Sequence, residues 1–576
     1  MSRVLPVAAA LAAAVAVFTG VALPERQQRL LADRDAGSVA GVFHIHTNRS
    51  DGRSSPDVVA AAAASAGLSF VVFTDHGDGT RRPDPPVYRS GVLCLDAVEV
   101  STTGGHLVAL GLGEVPYPLG GEPRDVVEDV HRFGGFGIVA HPDSPKAELA
   151  WHDWTLPVDG VELLNADTAW RKRFYRRDAS AWWMLAQSLV SYPVRPPQTI
   201  ARLFSDAPAL MDTWTTLTAT RPVVALAGMD AHARLDLTSS DQNERGYSLP
   251  IPSYDASFQV MTLHLTPSAP LTGDASHDAA LLLEAIEQGR SYTAIDAWAA
   301  PARFTFVATR DGRQIEQGSR MASGTPFTLT VRHNAPASFT TRVLRDNTVI
   351  GEGHEETLEI AAAGEPGRYR VEIRDPARHD APPWIISNPI YVVAPHVDAT
   401  AAAPPASRVV DAIPLFDGRT TDGWIPESDK SSLSAIDRVS LLDGPSLRLR
   451  FGLSGGKDIG QFASAAVDTP PSVANYDHIA FSVHAEQPMR LAVQVRAVFP
   501  DAHTERWRRS VFVDATDREY VIPFDDMRPV GVTTTGSVPV SALHNVLFVV
   551  DTTNTATRTS GQVWLRNVRL EKRAAR

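Results

Sequence analysis

The chain has a single cysteine, Cys94, among its 576 residues. One cysteine cannot form an intramolecular disulfide or build a zinc–thiolate cluster. The chain also lacks an excess of basic residues, since its formal net charge at pH 7 is −12. Broad nucleic-acid binding depends on clustered lysine and arginine, so this charge argues against it. Any metal that the protein binds must therefore be held by histidine, aspartate or glutamate.

The N-terminal segment carries no charge between residues 4 and 23. It follows Arg3 and has small residues near Ala22, a pattern typical of a secretory signal. The run is also close to the ~20 residues that span a bilayer, so an uncleaved membrane anchor is the alternative. We assign residues 1–24 to a signal peptide or an anchor. Both interpretations predict an extracytoplasmic location: periplasmic, secreted or membrane-anchored.

Seven apolar runs follow and alternate with helical or loop segments; they are residues 39–46, 68–76, 92–100, 106–112, 136–141, 158–165 and 222–230. Such runs are typical of parallel strands covered on both faces. Ser55, Pro56 and Gly67 are start and stop signals for a helix after the first run. The pattern predicts an α/β domain over residues 38–299, a (β/α) barrel one strand short of eight. Residues 166–220 are rich in arginine and tryptophan and form a longer segment than a crossover between two strands needs. They therefore predict a helical insertion.

After residue 300 the alternation becomes that of half-buried antiparallel strands. It predicts a small immunoglobulin-like β-sandwich over residues 300–394. Residues 395–408 have the composition of a linker. Residues 409–573 again read as strands and predict a β jelly-roll. Its segments 415–418 and 551–554 resemble galactose-binding-like, carbohydrate-binding-type domains, which implies a possible glycan contact or an inert spacer.

Nine metal-ligand residues stand at the ends of the seven predicted strands or in the loops beside them; they are His44, His46, Asp51, His76, Glu99, His106, His141, Asp230 and His232. The C-terminal mouth of such barrels holds the catalytic groups. Between residues 40 and 232 there are eight histidines, and six of them occupy these positions. Nitrogen and oxygen donors without thiolate suit zinc, manganese or iron, whereas calcium takes oxygen ligands only.

In order, these residues form a His-x-His pair, a Thr-Asp-His segment, an isolated glutamate, an Ala-His-Pro segment and an Asp-x-His pair. Residues 40–232 thereby resemble the PHP (polymerase and histidinol phosphatase) superfamily. The resemblance implies a distorted seven-stranded barrel, three divalent metal ions and phosphoester hydrolysis. It implies a first metal on His44, His46, Glu99 and Asp230, a second on Glu99, His106 and His141, and a third on Asp51, His76 and His232.

A hydroxide bridging the first two metals would then attack phosphorus, because bound metal lowers the pKa of water to about 7. The third metal would neutralise phosphate oxygens. Asp230 or His232 would handle the leaving-group proton. Arg81, Arg82 and Arg234 follow metal-ligand positions and are candidates for gripping phosphate, because arginine binds it bidentately.

The leading hypothesis is an exported, metal-dependent phosphatase or phosphodiesterase acting on a phosphorylated small molecule or glycan. One alternative is a nuclease acting on oligonucleotides, which the acidic net charge disfavours. Another is a non-catalytic surface glycan-binding protein whose barrel is only stabilised by metal. Hydrolysis of a generic aryl phosphate would separate this last alternative from the enzymes.

Overall fold

The computed structural model describes residues 23–31, 37–236, 248–394, 408–442, 444–456 and 460–574. The charge-free N-terminal run through residue 22 and the predicted linker through residue 407 lie outside these ranges. Among the described residues, no helix has the length and apolar character needed to cross a membrane. The chain divides into two compact units, Met1–Gly113 with Glu122–Val397, and Glu114–Gly121 with Asp398–Arg576. A multidomain, strand-rich organisation is therefore confirmed.

Eight strands of the first unit correspond to the seven apolar runs, because the run at 92–100 is divided into two strands. They are β1 (Val39–Ile45), β2 (Phe70–Phe73), β3 (Val92–Asp96), β4 (Val98–Thr102), β5 (Gly105–Leu110), β6 (Phe136–Ala140), β7 (Gly160–Asn165) and β8 (Val224–Gly228). Strands β3, β2 and β1 are neighbours in one sheet, and β8, β7, β6, β5 and β4 form another. Side chains from both sheets, including Phe43, Leu95, Ile138 and Leu226, share one buried core.

Strand β5 differs from the predicted parallel arrangement, since it runs antiparallel to both β4 and β6. Only residues 103–104 separate β4 from β5. A connection this short forms a hairpin, whereas a parallel neighbour needs a crossover of roughly a dozen residues. The start of β5 therefore lies at the same edge as the ends of the parallel strands. This is why His106, near the start of its strand, lies beside residues that follow theirs.

Eight helices occur among the described residues: α1 (Pro56–Ser65), α2 (Pro123–Arg132), α3 (Ala166–Arg176), α4 (Ala179–Ser191), α5 (Pro196–Ala201), α6 (Pro208–Thr218), α7 (Tyr254–Ser257) and α8 (Ala275–Glu287). Helix α1 begins with Pro56 as predicted, although the Ser55 side chain makes no capping hydrogen bond. Proline suits a first turn because it lacks the N–H that would be unpaired there. Helices α3 to α6 occupy the segment predicted as a helical insertion.

The rest of the first unit consists of short strands and a β-sandwich. The short strands are Gln28–Arg29, Val87–Arg89, Leu235–Asp236, Ser248–Leu249, Thr262–Leu265, Ser291–Ala294 and Ala299–Ala300. The sandwich strands are Phe304–Arg310, Arg313–Glu316, Arg320–Ala322, Phe327–His333, Thr340–Arg345, Thr348–Gly353, Thr357–Ala362, Gly367–Arg374, Ile385–Ser387 and Ile390–Val393. Ser291–Ala294 pairs with Ile385–Ser387, so one sandwich sheet continues into the sheet of β1. The boundary predicted at residue 300 thus falls inside one compact unit.

The second unit is a β-sandwich of two antiparallel sheets around its own apolar core. One sheet contains Val409–Phe416, Leu433–Leu441, Gly444–Gly452, His478–Ala485, Arg518–Pro523 and Ser560–Arg573. The other contains Trp424–Ser428, Phe462–Asp468, Met489–Val498, Thr504–Val513, Arg528–Pro529 and Leu543–Asp551. Single 3₁₀ turns lie at Val473–Asn475, Phe524–Asp526 and Val540–Ala542. Large apolar side chains such as Trp507 and Phe548 fill the space between the sheets.

Candidate metal centre

The structure brings together all nine residues that the sequence marks as candidate ligands. The residues form four overlapping groups, and within each group the ligand atoms, one from each residue, all lie within 4.8 Å of one another. The groups are His46, Asp51, His76 and His232; His44, Glu99 and His141; His44, His46 and Asp230; and His76, Glu99 and His106. The residues come from β1, β4, β5 and the segments after β1, β2, β6 and β8. Distant parts of the sequence therefore converge at one edge of the two sheets.

Glu99 lies at the centre of this cluster and is fully buried. Its Oε1 is 2.8 Å from Nδ1 of His106 and 2.9 Å from Nε2 of His141. Its Oε2 is 3.2 Å from Nε2 of both His44 and His46. The two carboxylate oxygens therefore face two different sets of histidines, which is the arrangement required of a carboxylate that bridges two cations.

Asp51 forms the most open part of the cluster, with 47% of its side chain exposed. Its Oδ2 lies 3.2 Å from Nε2 of His232 and 3.7 Å from Nε2 of His76, and its Oδ1 lies 3.4 Å from Nδ1 of His46. The ring of His46 is stacked on that of His232, with centroids 4.1 Å apart. Nδ1 of His76 is also 3.3 Å from Oε2 of Glu99. His76 thus connects the open group with the buried one.

Three of the nine residues have a left-handed backbone, with φ of 67° at His44, 30° at His141 and 50° at Asp230. Such angles are uncommon outside glycine and cost about 1–3 kcal/mol each. At His44 the strain coincides with an irregularity in the pairing of β1 with β2 between Val42 and Ile45. The fold therefore maintains strained conformations at the positions where the donor atoms converge.

Glu162 on β7 is a member of the site that the sequence analysis missed. It is 1% exposed, and its Oε1 lies 2.6 Å from Nδ1 of His44. Its Oε2 accepts hydrogen bonds from the backbone N–H of His141 at 2.7 Å and from Nδ2 of Asn165 at 2.8 Å. It therefore orients two candidate ligands from behind, as carboxylates behind metal-bound histidines do. Its signal in the sequence is a charged residue inside an apolar strand.

Asp75, also missed, orders the loop that carries Asp51. Its carboxylate accepts hydrogen bonds from the N–H of Thr47 and from the hydroxyls of Thr47 and Ser50, each at 2.7 Å. These bonds join the segment after β2 to the loop after β1. They fix the approach of Asp51 to the histidines.

The charges of the cluster are strongly coupled. Burial raises the pKa of Glu99, but the surrounding histidines lower it further, to well below its ordinary range. Burial lowers the pKa of His46, but the facing carboxylates of Asp230 and Glu99 raise it to about 9. Burial likewise lowers the pKa of His141, and Glu99 raises it to about 9. Without a cation His46 and His141 hold protons against ionised carboxylates, so cation binding must displace those protons.

The side chains suit divalent transition metals. Nε2 of His46 lies 3.3 Å from Oδ1 of Asp230 and is buried, yet it has no hydrogen-bond partner among the described residues. The same holds for Nδ1 of His76. Buried polar atoms normally have partners, so exceptions call for an explanation such as an ion. Six imidazoles and three carboxylates form a donor set for zinc, manganese or iron.

The three candidate phosphate-binding arginines occupy different places. Arg81 lines a small cavity with His76 and forms ion pairs with Asp96 and Asp84. Arg82 is exposed and does not line that cavity. Arg234 lines a second cavity together with Asp230 and His232. Arg81 and Arg234 thus each line a cavity that candidate ligands also line.

Arg171, on helix α3 of the predicted insertion, is affected by the charge of the site. Burial lowers the pKa of Arg171, but Asp167 and, beyond it, Asp230 raise it above its ordinary value. Its guanidinium lies 4.9 Å from the ring centroid of Trp170. The Arg171 guanidinium is thus paired with Asp167 and also feels the charge of Asp230.

Comparison with known proteins gives one relative that defines a family. The uncharacterized protein MJ1587 of Methanocaldococcus jannaschii is 31% identical over 141 residues, covering 22% of this chain and 80% of that protein. The chain belongs to the same family as MJ1587. No family model matches the chain.

Similar solved structures include two carbohydrate-binding modules of Clostridium thermocellum. The family 11 module of the cellulosomal cellulase Lic26A-Cel5E is 16% identical, with 28% of this chain and 95% of that chain covered and a TM-score of 0.25. The family 30 module of the cellulosomal cellulase Cel9D-Cel44B is 10% identical, with 28% and 97% covered and a TM-score of 0.22. At these TM-scores the likeness carries no argument about what this chain binds.

Proposed function

We propose that the protein is a metal-dependent phosphoester hydrolase whose centre is the cluster around Glu99. The observation that carries this proposal is the position of Glu99, whose two oxygens face separate sets of histidines at 2.8–3.2 Å. A buried carboxylate surrounded in this way suits two adjacent cations, and Asp51 with His76 and His232 suits a third. The order of these residues also resembles that of the PHP superfamily, which supports phosphorus chemistry over other metal-assisted hydrolysis.

The proposed ligand sets follow the resemblance. His44, His46, Glu99 and Asp230 would hold the first ion; Glu99, His106 and His141 the second; Asp51, His76 and His232 the third. When bound, divalent ions of this kind lower the pKa of water and stabilise charge on phosphate oxygens. His76, at 3.3 Å from Glu99, is also near the first two sets. Zinc, manganese and iron are the candidate ions.

The protein's own residues would position these groups and move protons. Glu162 orients His44 and the backbone of His141, so it keeps two ligands in place. His232 and Asp230 are neighbours in the cluster, where Nδ1 of His232 is 3.7 Å from Oδ1 of Asp230. Burial raises the pKa of Asp230, but the surrounding histidines lower it to well below its ordinary value. Burial lowers the pKa of His232, whereas Asp51 and Asp230 raise it above its ordinary value. Of the two, His232 would therefore donate a proton to a departing oxygen. Arg234 and Arg81 would hold the non-reacting phosphate oxygens through charge-assisted hydrogen bonds.

We further propose that β1 to β8 form a distorted seven-stranded barrel, with β3 and β4 occupying one strand position. Two isolated parallel bridges support closure of the two sheets, one between Ile45 and Ala231 and one between His76 and Glu99. Both bridges involve ligands or their direct neighbours. Closure and assembly of the metal centre would therefore depend on the same contacts. We also propose an extracytoplasmic location, on the basis of the N-terminal run.

The second candidate function is glycan binding by the C-terminal β-sandwich, with a barrel stabilised by metal but inactive. Trp564 lies on the outer face of one sheet of this sandwich, with its ring stacked on His484 at a centroid distance of 4.8 Å. The ring is partly exposed, and partly exposed aromatic rings are surfaces on which sugar rings pack. We propose that the domain is of the galactose-binding-like jelly-roll type.

A substrate screen separates these functions. The full chain, loaded with Mn²⁺ or Zn²⁺, is assayed on aryl phosphomonoesters, phosphodiesters, phosphosugars and an oligonucleotide. The same preparation is tested for retardation in gels containing soluble glycans. Metal-dependent hydrolysis of a phosphoester supports the leading proposal. Metal binding without hydrolysis of any of these substrates contradicts it, and retardation in that case favours the glycan-binding alternative.

A further inference from the structure

A cavity of about 190 Å³ opens beside the metal centre and is mainly apolar. Helices α3, α4 and α5 contribute Trp170, Leu185, Leu189 and Ile200 to its wall, and Tyr192 directly after α4 also lines it. An apolar cavity of roughly 150 Å³ accommodates benzene, so this one has room for about an aromatic ring or a few methylene groups. The helical insertion therefore builds an apolar compartment next to the candidate ligands.

Asp230, His232 and Arg234 also line this cavity, as do other polar residues, Asp167 among them. The apolar wall is well fixed, since Nε1 of Trp170 donates a 2.7 Å hydrogen bond to Asp167. A molecule whose phosphoester reached Asp230 and His232 would place its substituent against these apolar side chains. The cavity thus combines a mainly apolar wall with two candidate metal ligands and an arginine, which suits an amphiphile that carries a phosphate.

The apolar wall continues to the protein surface along α4. Leu189 lines the cavity and is 65% exposed, while its neighbour Val190 is 53% exposed. Trp182 and Trp183, on the same helix, are 48% and 60% exposed. Exposed tryptophans on one helix are typical of surfaces that meet a bilayer interface. An amphiphile can therefore reach the cavity from water or from a lipid surface.

The first described residues lie near this helix. Arg195, four residues after α4, donates a hydrogen bond to the carbonyl of Pro24. The charge-free run of residues 4–23 immediately precedes Pro24 in the sequence. The described chain thus begins beside the helix that carries the exposed tryptophans.

We propose that the substrate of the metal centre is an amphiphilic phosphoester whose apolar substituent occupies this cavity. The inference rests on the proposed function, because hydrolysis itself depends on the metal centre. It adds a substrate class that the ligands do not specify. Affinity then comes from hydrocarbon burial, and the metal centre provides the chemistry.

Inhibition by alkylphosphonates of increasing length tests the inference. Each is titrated against hydrolysis of a small aryl phosphate by the metal-loaded full chain. The inhibition constant should fall by about fourfold for each added methylene until the cavity is filled, the factor for burying one CH₂ group. Inhibition that is independent of chain length, in a protein that hydrolyses the aryl phosphate, overturns the inference alone. No hydrolysis of any phosphoester overturns the proposed function and the inference with it.

Two neighbouring variants localise the effect. Leu189→Asn changes the cavity wall, whereas Val190→Asn changes an exposed residue of the same helix that does not line the cavity. Leu189→Asn should reduce the gain in affinity per methylene, and Val190→Asn should leave both that gain and hydrolysis of the aryl phosphate unchanged. If the two variants change the gain in affinity per methylene of the soluble phosphonates equally, the inference is overturned.

Vesicles of equal parts phosphatidylcholine and phosphatidylglycerol distinguish the two sources of the amphiphile. If vesicles inhibit hydrolysis of the aryl phosphate, and Val190→Asn weakens that inhibition, the inference is supported and the amphiphile is a membrane lipid. Chain-length-dependent inhibition by monomeric phosphonates, without competition by vesicles, supports it with a soluble amphiphile as the source.

Discussion

Oε1 of Glu162 lies 2.6 Å from Nδ1 of His44, and both side chains are completely buried. The other ring nitrogen of His44 faces Glu99 and Asp230. Glu162 therefore determines which nitrogen of His44 points into the cluster and holds the ring in position. Loss of such an orienting carboxylate typically reduces metal affinity by 10–100-fold.

Glu162→Gln should therefore weaken metal binding by roughly 10–100-fold while no ligand is removed. The substitution preserves the size of the side chain, but a glutamine amide has only one oxygen. It cannot accept hydrogen bonds both from the His44 ring and from the backbone N–H of His141, as the two carboxylate oxygens do. Competition with a metal-binding dye measures the affinity. Glu316→Gln, on an exposed strand position, is the matched control and should bind metal like the native protein. Native affinity in Glu162→Gln would contradict the orienting role.

Gly228→Ala tests the contact between Glu162 and His44 from the neighbouring strand, β8. A Cβ at residue 228 would lie 1.9 Å from Oε1 of Glu162, so the carboxylate would have to move away from His44. Metal affinity should fall although residue 228 is not a ligand. A Cβ at Gly113 meets nothing within 4 Å, which makes Gly113→Ala the control. Calorimetric titration of Zn²⁺ compares the two, and equal affinities would be inconsistent with this packing.

Arg234→Ala should raise KM for a generic aryl phosphate by roughly tenfold or more, because a charge-assisted hydrogen bond contributes about 1.5–3 kcal/mol. Metal content should not change, since Arg234 donates no ligand atom. Arg82 is exposed and outside the cavity beside His76, so Arg82→Ala should have the smaller effect. Steady-state kinetics with elemental analysis decides, and a larger effect for Arg82→Ala would reverse the assignment.

Asp296 predicts a pH dependence of stability that is independent of the metal centre. Burial raises its pKa to about 7, although the hydroxyl of Thr262 donates to it at 2.6 Å. A carboxyl whose pKa is raised by folding favours the folded state most at low pH. That contribution is lost as the pH rises from about 4 through about 7, in total up to about 4 kcal/mol.

Asp296→Asn should remove this loss of stability. The difference between the melting temperature of the variant and that of the native protein should therefore increase as the pH is raised from 4.5 to 8. His264, 3.0 Å from the Thr262 hydroxyl, has its pKa lowered to about 4 by burial and acts in the opposite direction. It is present in both proteins, so comparing them isolates Asp296. A constant difference in melting temperature across this range would contradict the prediction.

The sequence predicted much of this arrangement because strands and ligands leave local patterns. The apolar runs have the period and length of buried strands, and histidines at their ends are conspicuous. The antiparallel direction of β5 was not predicted from the sequence, although the two-residue connection between Thr102 and Gly105 is a hairpin signal. The position of His106 near the beginning of its strand follows from that direction.

Features that depend on packing between distant segments were not predictable. Glu162 has no ligand motif, and its role arises because Gly228 leaves space for it on the neighbouring strand. Three helices of the insertion build much of the apolar cavity, whereas the sequence predicted only that this arginine- and tryptophan-rich segment is helical. The electrostatic effect of Asp230 on Arg171 likewise depends on the fold.

The central claim is that metal ions bound around Glu99 enable phosphoester hydrolysis. The most direct measurement is a titration of metal-free protein with Mn²⁺ or Zn²⁺, with bound metal and aryl phosphate hydrolysis followed together, for the native chain and for Glu99→Ala. Activity of the native protein should rise to a plateau at two to three bound equivalents. Glu99→Ala should bind less metal and lose at least ~10²–10³-fold in turnover. Near-native metal content and activity in Glu99→Ala would contradict the account.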